Sequence, residues 1–234
     1  MKFTTQIRDA LTYTLRDWKP IILLGLILCI TSSLHKINEA NAIIAIAIVI
    51  VTIIMLFLEE GYRYEIIKET IKGNNNPPKF GNLKELISEG FLESIIITVY
   101  SVGLYILTNI ANNMKIISSL HLIQWAILFI IIMAIYFLFF GAAINKVLHD
   151  DKFISAFNLI EIVRFYSKIG IIRTAILIII GSISMNFIIG SVLDLGIYNF
   201  AQYIDLLINL FINPILILFL TRLTALIGKE VTYD

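Results

Sequence analysis

Residues 40–72 read ANAIIAIAIVIVTIIMLFLEEGYRYEIIKETIK, and the change of character at Glu59 decides the fold. Up to Leu58 the stretch holds no Asp, Glu, Lys or Arg. A helix rises about 1.5 Å per residue, and a hydrocarbon core of ~30 Å takes about 20 apolar residues to cross. Residues 40–58 meet that requirement. Beyond them, Tyr62, Ile66 and Ile67 fall against Arg63, Glu65, Lys68, Glu69 and Lys72, the pattern of an amphipathic helix. It stops at Gly73, and residues 74–78 form a breaker.

Residues 20–34, 94–114, 116–145, 174–193 and 206–221 are likewise free of Asp, Glu, Lys and Arg. The first of these is short and extends with Trp18 at the interface and Lys19 snorkelling. The last continues past Arg222 through residues 223–227. The chain is 59% hydrophobic and only 15% charged, where a soluble domain carries about 25% charged residues. These features predict an all-α polytopic membrane protein with six transmembrane helices in a single domain, 1–234.

Sixteen of the eighteen Lys and Arg residues fall on one side of these spans, leaving only Lys36 and Lys115 on the other. The positive-inside rule therefore predicts a multi-pass protein of the cell membrane with both termini cytoplasmic. Fourteen of the seventeen acids share the same side, so it is nearly balanced and not polybasic. No nucleic-acid partner is expected from such a surface, nor a strong anionic-lipid patch. Cleavage as a signal peptide is not expected, because no clean small-x-small site follows residues 21–30. Cys29 is the only cysteine, so no internal disulfide forms, and it reads as a small apolar packing residue.

The inner segments have their own periodicity. Phe3, Ile7, Leu11, Leu15 and Trp18 recur at helical spacing. Leu83, Leu86, Ile87 and Phe91 alternate with Lys84, Glu85, Glu89 and Glu93, and residues 154–168 form a further amphipathic run. Each reads as an interfacial helix ahead of an outward-turning hairpin. Amphipathicity does not tell lipid from protein, so a packed layer beneath the bundle is the alternative. The arrangement suggests a weak threefold repeat over 1–58, 59–145 and 146–234, with Lys79-Phe80 echoed by Lys152-Phe153.

These residues carry a family resemblance. Ala10-x-x-Tyr13 with Arg16-Asp17-Trp18-Lys19 resembles the start of the membrane-protein family known as domain of unknown function 4013, found mainly in archaea. Glu60-Gly61-Tyr62, Gly73, Pro78-x-Phe80, Leu83, Leu86 and Gly90-Phe91 are similar to its inner segment. Ala156-Phe157-Asn158, Ile160, Ile162 and Ile169-Gly170 resemble a later inner helix. The chain departs by having Leu83 where the family often has Trp, and three Asn at residues 74–76 where acids are common. The resemblance implies a multi-pass fold and no mechanism.

No phosphate-binding Gly-rich loop, GxSxG, His-Glu-x-x-His or Cys pair is present, so no catalytic residue, metal site or cofactor is assigned. His35 and His121 end different spans with only Glu39 near in sequence, a poor ligand set. The polar content of the spans is more informative. In the third, Thr98, Ser101, Tyr105, Thr108 and Asn112 form a stripe; in the fifth, Ser182 and Asn186 are one turn apart. In the sixth, Gln202, Asp205, Asn209 and Asn213 share a face directly before Pro214, whose missing N–H frees the Leu210 carbonyl and permits a kink. Lipid cannot satisfy such groups. They serve either as glue between helices or as the lining of a polar cavity between spans 3, 5 and 6.

Three functions follow. The leading one is a non-enzymatic scaffold or partner subunit, in contact with membrane lipids and with a second copy or another protein. The alternative is a transporter or lipid-handling protein with a cavity for an uncharged or zwitterionic substrate. The third is headgroup chemistry at the inner interface, which needs His149, Asp150, Asp151 and Glu60 to converge.

Overall fold

The computed structural model describes residues 3–34, 41–113, 137–170, 173–174, 176–177 and 206–233, without the side chains of 104, 107, 108, 110–113 and 231–233. Among the described residues every regular element is helical. In chain order these are α1 (Phe3–Arg16), α2 (Trp18–Leu34), α3 (Ala42–Lys72), α4 (Leu83–Asn113), α5 (Phe137–Leu148), α6 (Leu159–Ile169) and α7 (Asn213–Tyr233). A 3-10 turn, Phe153–Phe157, precedes α6, and a π-helical turn, Ile208–Ile212, runs into α7.

Among the described residues three helices are long and apolar enough to cross a membrane: Ala42–Lys72, Leu83–Gly103 and Ile208–Glu230. A fourth is added if α1 and α2, which meet at 79°, count as one broken span. The bend has a local cause. Asp17 stands between the two helices, and its Oδ1 accepts from the Lys19 backbone N–H at 3.0 Å, capping α2 while α1 ends at Arg16. The fourth and fifth apolar stretches of the sequence lie mostly outside the described residues.

The helical segment at 62–72 is not a separate element. It continues the second apolar stretch in the unbroken 31-residue helix α3, and the segment from Leu83 likewise continues into the third apolar stretch within α4. The breaker between them is a left-handed cap at Gly73 (φ 96°), whose N–H reaches the Thr70 carbonyl while Asn74 N–H reaches Glu69. Two glycines set how closely α3 and α4 cross. A Cβ on Gly61 would lie 1.9 Å from the Leu86 carbonyl oxygen, and one on Gly90 would lie 1.7 Å from that of Phe57. The two backbones are therefore in direct contact, which only glycine permits at both positions.

The result is a molecule with two different halves. The apolar window of α3 has none of its residues buried, and Ile43, Ile46 and Val49 stand open. The corresponding window of α7 is 61% buried, so α7 runs through the centre. The larger core lies in the charged half. There Tyr64, Ile67 and Ile71 of α3 pack with Phe139, Phe140, Ala143 and Ile144 of α5, Phe165 and Ile169 of α6, and Leu223, Ala225 and Ile227 of α7. Helices α1 and α6 flank it. Each buries one face and leaves an apolar flank open: Leu11 and Leu15 on α1, and Leu159, Ile160 and Val163 on α6.

Candidate functional site

Two buried cations organise the charged half. Lys146, near the end of α5, is almost wholly enclosed, and its Nζ donates to Glu89 Oε2 and Glu93 Oε1, both at 2.8 Å. The same Nζ stands 3.9 Å from the centroid of the Tyr64 ring. One ammonium thus joins α5 to α4 and α3. It offers three donors, and a buried charge is tolerated only when paired this way.

The chain then turns through Asp150 and Asp151, both left-handed at φ 57° and 59°. That turn delivers the Asp151 carboxylate to Tyr64, whose hydroxyl donates to it, and to Lys68 Nζ at 2.8 Å. Burial pushes this carboxyl up, but the hydrogen bonds from Lys68 and Tyr64 outweigh it and hold Asp151 below the usual carboxylate range.

Arg222 is the second anchor. It is 2% exposed, and its whole guanidinium is engaged. Nε donates to Asp9 Oδ1 at 3.1 Å, Nη1 to Thr70 Oγ1 at 3.0 Å and to the Asn74 carbonyl at 2.7 Å, and Nη2 to Asn75 Oδ1 at 3.0 Å. The guanidinium carbon lies 4.4 Å from the Tyr13 ring centroid. One side chain of α7 therefore ties α1, α3 and the 73–82 connection together. Tyr62 fixes the other side of that connection by stacking on Phe80 at 4.0 Å and donating to the Pro78 carbonyl at 2.9 Å. The Pro-x-aromatic motif is thus a seat for Tyr62.

The polar residues singled out in the spans are described only in part. Thr98 is exposed, and its hydroxyl donates back to the Ser94 carbonyl at 2.7 Å. Ser101 is half-buried and Tyr105 is exposed. The side chains of Thr108 and Asn112, and all of Ser182, Asn186 and Asp205, lie outside the described residues. Asn209 and Asn213 are both buried, and Asn213 Nδ2 donates to Asn209 Oδ1 at 2.8 Å. Pro214 follows, and the backbone relaxes into the π turn just before it, with Asn213 N–H bonded to the Ile208 carbonyl. Gly25 of α2 sits against the carbonyl that Pro214 leaves without a helical donor: a Cβ there would lie 2.1 Å from Leu210 O.

Three of the four groups that headgroup chemistry would require have partners of their own. Glu60 pairs with Arg63 at 2.7 Å, Asp151 with Tyr64 and Lys68, and Asp150 is exposed. His149 donates from Nδ1 to the Asn145 carbonyl at 2.9 Å, and its Nε2 stands 3.5 Å from Glu161. Among the described residues no group of three His, Cys, Asp or Glu could hold a metal ion. An open cavity of about 330 Å³ lies between α5 and α6, with Arg164 and Lys168 among its walls.

Neither Lys146 nor Arg222 belongs to a recognisable sequence motif. Their signal was position. Each follows directly on an apolar stretch, where a cation is either solvated or drawn into a packed layer, and the packed layer is where both reside.

No curated protein and no solved structure matches the chain. The family model described as protein of unknown function (DUF4013) matches residues 43–195. That span contains the Gly61–Gly90 crossing, the Tyr62–Phe80 seat and the Lys146 node. The chain belongs to the DUF4013 family.

Proposed function

We propose that the chain is a six-span protein of the cell membrane with both termini cytoplasmic, and that it works without chemistry of its own as a scaffold or partner subunit. The observation that carries this reading is the use made of the buried charges. Lys146 and Arg222 spend their donors on tying helices together and leave none aimed into a cavity. A rigid layer so built holds the spans at fixed spacing. It also offers the open apolar flanks of α1 and α6 to the inner leaflet. The partners in this reading are membrane lipids and a second copy or another protein.

One observation favours the transporter or lipid-handling alternative. Asn213 Oδ1 is buried beside the π turn and has no hydrogen-bond partner among the described residues. Replacing Asn209 and Asn213 with Leu separates the two. As glue, the pair is worth about 0.6–2 kcal/mol, so the variant loses thermal stability and the wild type co-purifies with a protein partner or as an oligomer. As a cavity lining, the variant melts like the wild type and loses a stoichiometric small molecule that the wild type retains.

A further inference from the structure

The cavity between α5 and α6 has the ingredients of an anion site. α6 returns alongside α5: Glu161 stands by His149 at the end of α5, while the Tyr166 hydroxyl donates to the Phe137 carbonyl at 2.5 Å near its start. Gly141 permits this approach, since a Cβ there would lie 2.6 Å from Ile162. Between the helices lies an open space of about 330 Å³. Its apolar lining is Ile144, Leu148 and Phe165, of which Leu148 is itself exposed, and its rim carries Glu161, Arg164 and Lys168.

The three rim charges fall at i, i+3 and i+7 of one helix, a stripe about 10 Å long. Arg164 and Lys168 are exposed, and among the described residues neither has an ion-pair partner. That sets them apart from Lys68, Lys146, Arg173 and Arg222, which are all paired. A volume near 300 Å³ is the lower end of small-ligand pockets. It fits a headgroup and little more. Arg164 and Lys168 against Glu161 leave the three rim side chains with a net charge of +1, which suits a singly charged phosphodiester better than a doubly charged monoester. Ile160, one turn before Arg164, is exposed and begins the open apolar flank of α6, where acyl chains would lie.

We propose that the groove between α5 and α6 binds the phosphodiester headgroup of an inner-leaflet phospholipid, with Arg164 and Lys168 holding the phosphate. The inference goes beyond the scaffold reading but rests on its membrane placement. Failure of that placement would appear separately, as water-side labelling of cysteines set at Ile46 and Ile50.

The test is native mass spectrometry of the full chain in detergent, titrated with dioleoylphosphatidylglycerol and, in a parallel arm, with soluble glycerophosphoglycerol. The wild type should retain the lipid, and Arg164→Gln with Lys168→Gln should weaken retention about tenfold or more, since both charge-assisted contacts to the phosphate are lost. Leu148→Trp, which crowds the lining and leaves both cations in place, should do the same, while Lys84→Gln, away from the groove, should change nothing. If the double variant does not fold, Leu148→Trp decides. Equal lipid retention by the wild type and the groove variants overturns the proposal. So does full displacement of the lipid by an equal concentration of glycerophosphoglycerol, which would make the groove a site for a soluble phosphodiester.

Discussion

The two halves of α3 obey opposite rules. From Ala42 to Leu58 the helix is apolar and open on nearly every side. From Gly61 to Ile71 it carries charge, and Tyr62, Tyr64, Ile66, Ile67, Thr70 and Ile71 are buried. An apolar surface left open is favourable only where the surroundings are apolar too, so the first half is suited to an apolar surround. The second half is built like the core of a water-soluble domain, with apolar side chains inside and each buried cation paired. One continuous helix connects the two, so nothing hinges between them. The Gly61–Gly90 contact clamps α3 to α4 near the point where the rules change.

That contrast predicts a ladder of effects. The largest belongs to the buried charge. Lys146→Met leaves Glu89 and the fully buried Glu93 facing each other without a cation, and should lower stability by about 3–5 kcal/mol in thermal or denaturant unfolding. Adding Glu89→Gln and Glu93→Gln should recover much of the loss. A single Lys146→Met variant as stable as the wild type would remove the ammonium from its role.

Isoleucine placed in each half gives the next step. Ile66→Ala, at a fully buried site, should cost about 2–5 kcal/mol, whereas Ile46→Ala, at an open one, should stay within about 0.5 kcal/mol. Comparable losses at both positions would mean that the outer half packs against protein. Gly90→Ala comes third. Its new methyl meets the Phe57 carbonyl, and forcing the helices apart should cost about 1–3 kcal/mol and loosen the charged layer, seen as faster amide exchange in residues 60–71.

The smallest effect is a pH dependence. Asp151 is held below its ordinary range in the folded chain. Its contribution is therefore complete above the unfolded value of about 4 and is lost as the pH falls through the lower folded one. Melting temperature should fall below about pH 4 in the wild type and fall less steeply in Asp151→Asn. Parallel curves would show that the Tyr64–Asp151–Lys68 contact contributes nothing to pH stability.

Much of this layout was legible in the sequence. Residues 40–58 announce an apolar helix of membrane-spanning length by composition alone, and the break at residues 73–82 follows from Gly73 and the two prolines. The family resemblance was legible as well, and the structure gives its residues physical roles: Gly61 and Gly90 are contact points, and Phe80 is the seat of Tyr62. The destination of the amphipathic segments was not. Hydrophobic periodicity reports that a face is covered, not what covers it. In α3 that cover is protein, whereas α1 and α6 keep open apolar flanks and Leu83 and Phe91 of α4 stand open beside the buried Leu86. Arg222 was illegible for a related reason. Its partners, Asp9, Thr70, Asn74 and Asn75, are more than a hundred residues away, and nothing local marks the pairing. The Asn209–Asn213 spacing did indicate a shared face, but not that the two amides would bond to each other beside a π turn.

The most direct test is a spin-label scan of α3, one cysteine at a time from residue 43 to 72 in a Cys29→Ser background, reading collision with oxygen and with a water-soluble nickel chelate. The account predicts high oxygen accessibility through residues 43–57 with little helical oscillation. Beyond Gly61 it predicts immobile labels, inaccessible to both reagents, at 62, 66 and 67, with nickel contact confined to the charged face. A stripe of high oxygen accessibility at 62, 66 and 67 would contradict it, because that stripe would place the segment in lipid and not beneath the spans.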